Sequence, residues 1–242
     1  MSIHVGTSGW SYEHWQGVVY PHGAPARERL GYYAARFRTV EVNSTYYRWP
    51  KEATFASWRR RTPDDFLLTV KAPGLLTHRA RLFKPERWVE RVACGLARLG
   101  EKRGVLLVQL PPTLAFDYPR LAYFLEQVPG WLRVAFEFRH PSWHREEVFA
   151  LLEQRGAAYC VMSGAHLPCV LRATAPFVYV RLHGPDREHL YAGSYPEEDL
   201  RWWAARAREW ESAGREVFLY FNNDGHGHAV RNAETLHRLV KQ

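Results

Sequence analysis

The run FVYVRLH (Phe177–His183), the run PEEDLRWWAARAREWESAG (Pro196–Gly214) and the run VFLYFN (Val217–Asn222) decide the fold when they are read together. In the first, Val178, Val180 and Leu182 alternate with Tyr179, Arg181 and His183; in the third, Leu219 and Phe221 alternate with Tyr220 and Asn222. A period of two is that of a strand. The middle run repeats Leu200, Trp203, Ala204, Ala207 and Trp210 at helical spacing. Its start carries Pro196 in the first turn and Glu197, Glu198 and Asp199 against the helix dipole, and Gly214 suits the position just past its end. Strand, helix and strand in this order make a β–α–β unit, whose two strands lie parallel.

The same pattern extends outward to the rest of the chain. Six further strand-like runs lie at Ile3–Thr7, Thr39–Asn43, Phe66–Lys71, Val105–Gln109, Arg133–Arg139 and Ala158–Met162. Weaker helical patterns cover Arg27–Arg36, Lys84–Leu99, Tyr118–Gln127, Glu146–Gln154 and Ala229–Leu239. Eight strands in 242 residues predict an α/β fold, a TIM-type (β/α) barrel, for which roughly 250 residues is typical. One domain over residues 1–242 is expected, since no repeat, low-complexity tract or linker divides the chain. Ser163–Pro176 is too short and too apolar for an amphipathic helix with its loops, so the barrel should be irregular between strands six and seven.

Composition bounds the function. The chain is 46% hydrophobic and 24% charged, which suits a packed globular core, and its formal net charge is +8. The arginines are scattered, as in Arg59–Arg61 and at Arg201, Arg206 and Arg208, and read as a solvated basic surface. Three cysteines without a CxxC spacing imply neither a disulfide framework nor a zinc ribbon, and fit a reduced, cytoplasmic setting. No signal-like start and no run of about 18 apolar residues occurs, so no membrane association is expected. GxSxG, GxxxxGK[ST] and GxGxxG are all absent.

Chemistry enters through the alternation. Helices around a barrel cover an outer face of Val, Leu and Phe, so the opposite set should point inward. That set is polar: Glu41 and Asn43, Lys71, Gln109, Glu137 and Arg139, Arg181 and His183, and Asn222 and Asp224. These residues cluster toward the C-terminal ends of their strands, where barrel enzymes place their active sites. Three acids and three bases could form a self-neutralising ion network, yet buried ions contribute little net stability. A functional pocket is therefore the favoured reading.

The motifs Gly6-Thr7-Ser8-Gly9-Trp10-Ser11-Tyr12, Val40-Glu41-Val42-Asn43-Ser44-Thr45-Tyr46-Tyr47-Arg48, Gln109-Leu110-Pro111-Pro112, Glu137-Phe138-Arg139-His140 and Tyr220-Phe221-Asn222-Asn223-Asp224 occur in this order. They resemble the YecE-like family, also called domain of unknown function 72. The resemblance implies a TIM-type barrel and brings no settled activity. Relatives often carry an Asp just after the sixth strand, where this chain reads Met162-Ser163.

The favoured expectation is an enzyme acting on a phosphate-bearing substrate, with a hydrolase of nucleic-acid phosphodiesters as one form. Lys71, Arg139 and Arg181 would bind the anion, and Glu41 or Glu137 would act as general base. The predicted catalytic residues are thus Glu41, Glu137 and Lys71. Asn43, Gln109, Arg139, His140, Arg181, His183, Asn222, Asn223 and Asp224 would contact substrate, with Trp10, Tyr12 and Tyr46 as stacking aromatics. Glu41, Glu137, His140, His183 and Asp224 follow no recognised ligand spacing, so a divalent metal is not favoured. Two alternatives stay open: a metal-independent sugar or small-acid enzyme using Glu41 and Glu137 as paired carboxylates, and a non-catalytic module binding nucleic acid or a small ligand. No feature of the sequence specifies an oligomer. His140 and His144 have the spacing of a helical zinc pair, but Pro141 starts any helix after His140. The loop Asp224–His228 reads as a plain glycine loop following a strand.

Overall fold

A computed structural model describes residues 2–242. The fold is α/β, a TIM-type barrel of eight strands: β1 (Ile3–Thr7), β2 (Thr39–Val42), β3 (Leu67–Lys71), β4 (Arg103–Leu110), β5 (Val134–Phe138), β6 (Ala158–Ser163), β7 (Phe177–Leu182) and β8 (Glu216–Phe221). Their order in the sheet is β1-β8-β7-β6-β5-β4-β3-β2. Each strand lies beside its successor in sequence, as repeated β–α units require. A parallel bridge between Ser8 and Glu41, with the Gly9 N–H donating to the Glu41 carbonyl at 2.8 Å, joins the two ends of that order.

The helices are α1 (Arg29–Arg36), α2 (Ser44–Tyr47), α3 (Glu52–Arg61), α4 (Glu86–Ala97), α5 (Tyr118–Gln127), α6 (Glu146–Arg155), α7 (Glu197–Ser212) and α8 (His228–Leu239). The six expected helices are present. Pro196 sits at the N-cap of α7 rather than within its first turn. Between β6 and β7 no helix forms. The helices α2 and α3 were not anticipated. In α3 only Phe55 and Trp58 are buried, and the helix ends in Arg59, Arg60 and Arg61, so its apolar stripe is too thin to read. Packing supplies what the pattern lacks: a Cβ at Gly95 of α4 would stand 2.8 Å from the Phe55 ring, so glycine there lets the Phe55 ring lie against the α4 backbone.

The chain divides into two compact units. The first comprises Met1–Glu41, Val161–Leu171 and Pro176–Gln242, and the second Val42–Cys160 and Arg172–Ala175. In the first, β8 pairs in parallel with β1, from Ile3↔Val217 to Thr7↔Phe221, and with β7, from Phe177↔Glu216 to Leu182↔Phe221. In the second, β4 pairs with β3 and β5, with Lys71 opposite Leu107 and Gln109 opposite Glu137. The strands are almost wholly buried on both faces, which is why their burial alone shows no alternation. The contacts do show it. Phe136 of β5 meets Phe124 of α5 edge-on at 5.8 Å and stacks along the strand with Phe138 at 5.7 Å, so β5 turns its phenylalanines to the helix layer and Glu137 the other way.

Candidate functional site

In the first unit, the inward set converges on Glu41. Its carboxylate is fully buried and receives four hydrogen bonds: from Ser8 Oγ, from Tyr179 OH at 2.5 Å, from Arg181 Nε at 2.9 Å and from Arg181 Nη2 at 2.7 Å. The Arg181 side chain is 1% exposed and also reaches Ser8 Oγ at 3.2 Å. Burial alone would raise the Glu41 pKa, but the Arg181 charge and the Arg181, Ser8 and Tyr179 hydrogen bonds hold it below the ordinary 4.5. Burial and the Glu41 charge push the Tyr179 phenol well above its usual range, so Tyr179 stays a donor. A second layer surrounds this hub: Tyr220 OH and Thr39 Oγ1 are 2.7 Å apart, and Tyr33 OH receives the Thr7 N–H at 2.9 Å.

The remaining predicted residues of this unit hold loops together. Asn222 Nδ2 lies 3.2 Å from Nδ1 of the fully buried His183. Asn223 donates to the Gly193 carbonyl at 2.9 Å and to Asn232 Oδ1 at 3.0 Å. The Asp224 carbonyl receives Trp15 Nε1 at 3.1 Å, and its carboxylate lies 3.5 Å from His14. Tyr12 OH donates to the Ser8 carbonyl at 2.6 Å, and Trp10 is half-buried. The Gly225–Gly227 segment is a 3-10 turn leading into α8.

The second unit gathers a different set around the ends of β3, β4 and β5. Glu137 is fully buried and pairs with Arg139 Nε, and Cys160 Sγ lies 4.0 Å from its other oxygen. The Arg139 side chain is 8% exposed. Beside Glu137, the Gln109 Oε1 is buried without a hydrogen-bond partner among the described residues. Lys71 is half-buried and sets its ammonium 4.6 Å from the Tyr46 ring centre. Thr45 Oγ1 bonds both the Val42 carbonyl, at 2.8 Å, and the Lys71 carbonyl, at 2.6 Å, which fastens α2 and hence Tyr46 to the end of β3. Asn43, at the N-cap of α2, is half-buried.

His78 joins this set although its spacing gave no signal. It lies in a π-helical turn, Leu75–Arg79, following β3, and its ring meets Tyr46 edge-on at 5.0 Å. Desolvation, then the charges of Lys71 and Arg139, hold its pKa below the ordinary 6.5, against a smaller opposing effect of Glu137. Its Nδ1 stands 2.9 Å from Oγ1 of the buried Thr77, whose hydroxyl also reaches the Pro73 carbonyl at 3.3 Å. When Thr77 donates to that carbonyl, Nδ1–H donates to Thr77 and the lone pair falls on Nε2. Its position in the loop after a barrel strand was the one clue the sequence held.

His140 caps the 3-10 turn Pro141–Trp143, its Nδ1 accepting from the Ser142 N–H at 3.2 Å, while His144 lies 3.0 Å from Tyr159 OH. The two histidines therefore have separate local partners. Among the described residues, no three His, Cys, Asp or Glu side chains gather so as to hold a metal ion. No helix among them is long and apolar enough to cross a membrane.

A family model described as "Protein of unknown function DUF72" matches residues 4–242. The chain belongs to the DUF72 family. Its fold is similar to the crystal structure of a DUF72 family protein from Thermotoga maritima, at 32% identity and a TM-score of 0.88, over 99% of both chains. It is also similar to the UPF0759 protein YunF of Bacillus subtilis, at 26% identity over 98% of this chain and 94% of that protein. The UPF0759 protein YecE of Escherichia coli O157:H7 is 31% identical over 66% of this chain and 58% of that protein. These relationships agree with the family resemblance carried by the five motifs.

Proposed function

We propose that the cluster at the ends of β3, β4 and β5 is an active site for a phosphate-bearing ligand, with His78 as its proton acceptor. One feature carries this reading: the His78 imidazole, whose ring meets Tyr46, is biased toward its neutral form by burial and by the charges of Lys71 and Arg139, against a smaller opposing effect of Glu137. An arginine with a lysine matches the oxygens of a phosphoryl group. A neutral imidazole next to those cations can take a proton from an attacking water. The water oxygen bonds to phosphorus, the ester P–O bond breaks, and the leaving oxygen takes a proton from solvent. Lys71 and Arg139 stabilise the charge that grows on the phosphoryl oxygens.

In this reading, Glu137 orients Arg139, and the Gln109 amide and Tyr46 wall the ligand. Glu41 is a brace and not a base, since four donors already occupy its oxygens; Arg181, the principal donor, serves the same brace. The paired-carboxylate alternative loses support for the same reason. A nucleic-acid phosphodiester is one member of the ligand class.

Hydrolysis of bis(p-nitrophenyl) phosphate tests the proposal. The wild-type protein should turn it over, and His78→Asn should lose about 100-fold or more. Equal rates for the two proteins, or a wild type that neither hydrolyses this diester nor binds inorganic phosphate, would overturn it.

A further inference from the structure

A separate cavity of about 330 Å³ opens within the first unit, in the loops that follow β6 and β7. Ser163, His166, Asp186, Arg187, Tyr195 and Asp199 contribute to its wall. The wall is firmly built. Tyr195 is 5% exposed; its hydroxyl accepts the Gly184 N–H at 3.0 Å and donates to Ser163 Oγ at 3.2 Å, and its own N–H donates to Asn232 Oδ1 at 3.1 Å. Gly184 has φ +101°, and a Cβ there would stand 2.1 Å from the Ala192 carbonyl oxygen, so this bend admits only glycine. His166 and Tyr191 in the same loops hold left-handed backbone at φ +57° and +70°. Strain of this kind persists where surrounding structure imposes it, and it concentrates at ligand sites.

Among the described residues the opposite charges at the wall, Arg187 against Asp186 and Asp199, do not pair with one another, and Asp186 lies 3.4 Å from His189 Nδ1. Asp186 Oδ1 accepts the N–H groups of Glu188 at 2.9 Å and His189 at 2.6 Å, which fixes that carboxylate. Among the described residues, Arg187 and Asp199 form no ion pair with each other or with any other group. Other arginines of the unit do form ion pairs, among them Arg29 with Glu13, Arg181 with Glu41 and Arg201 with Glu197. Opposite charges that share a cavity without meeting suit a ligand that carries both. A plain anion would meet two carboxylates, and a plain cation would meet Arg187.

We propose that this cavity binds a small zwitterion, a free α-amino acid. Its ammonium group lies against Asp186 and Asp199, and its carboxylate against Arg187 and the Ser163 hydroxyl. The volume lies at the low end of small-molecule sites, which run from roughly 300 to 1,000 Å³. This site is independent of the phosphate reading.

Calorimetric titration with each of the twenty common L-amino acids tests it. At least one should bind saturably, and its methyl ester and its N-acetyl derivative, each lacking one charge, should bind about tenfold or more weakly. Arg187→Gln should abolish the preference for the free acid over the ester, and Asp199→Asn the preference over the N-acetyl form. Both positions are exposed, and circular dichroism will report whether the variants keep the fold. No saturable binding by any amino acid, derivatives that bind as tightly as the parent, or variants that leave both preferences intact would each overturn the proposal. Lys71→Met should leave this binding unchanged, and loss of it there would also count against a separate site.

Discussion

Each unit buries one glutamate beside one arginine, yet the two pairs have different surroundings. Glu41 accepts four hydrogen bonds, its arginine is 1% exposed, and no oxygen is left for a ligand. Glu137 also holds an arginine, but that arginine is 8% exposed, Lys71 and His78 lie nearby, and the adjacent Gln109 keeps a buried oxygen without a partner. A buried carboxylate at a strand end is thus a poor pointer to chemistry by itself. What separates the two surroundings is the greater exposure of Arg139 and the buried Gln109 oxygen that has no hydrogen-bond partner among the described residues.

Arg181→Met should break the comparison hardest. It leaves Glu41 buried without its cation, and removing one partner of a buried pair costs about 3–5 kcal/mol, read from urea unfolding. Tyr179→Phe comes next, at about 1–3 kcal/mol for one lost donor to a buried charge. It also bears on pH. Because the folded pKa of Glu41 is depressed, the stability it contributes is present above about 4.5 and lost as pH falls through the folded value. Tyr179→Phe removes a donor that lowers that pKa, so acid unfolding should begin at higher pH.

Lys71→Met should have the smallest effect on stability, about 1 kcal/mol or less, because Lys71 is half-exposed. On inorganic phosphate affinity it should have a large one, about tenfold or more. The same substitution removes a cause of the depressed His78 pKa, which should rise. A depressed histidine contributes stability that is present above about 6.5 and declines as pH falls through its folded value. In Lys71→Met that decline should be smaller.

The alternation of side chains made the eight strands and their inward set legible, because two-residue periodicity survives burial on both faces. It could not distinguish Glu41 from Glu137. That difference depends on Ser8, just past β1, and Tyr179 of β7, which meet Glu41 only on folding. His78 was hidden for a related reason: it lies in an irregular turn, where no period reports which way a side chain points. The helix α3 was missed because two buried aromatics three residues apart are too few to outweigh a run of arginines. Arg181 was an expected anion anchor on charge alone, and only its burial reveals a second candidate role.

The most direct test labels the histidine rings with ¹⁵N and follows them by NMR as inorganic phosphate is added to the wild-type protein. His78 resonances should shift saturably while those of His183, in the other unit, stay still, and in Lys71→Met the His78 titration should need about tenfold more phosphate or beyond. Saturable shifts at His183 with His78 unmoved would place the anion on the wrong side of the comparison and contradict the account.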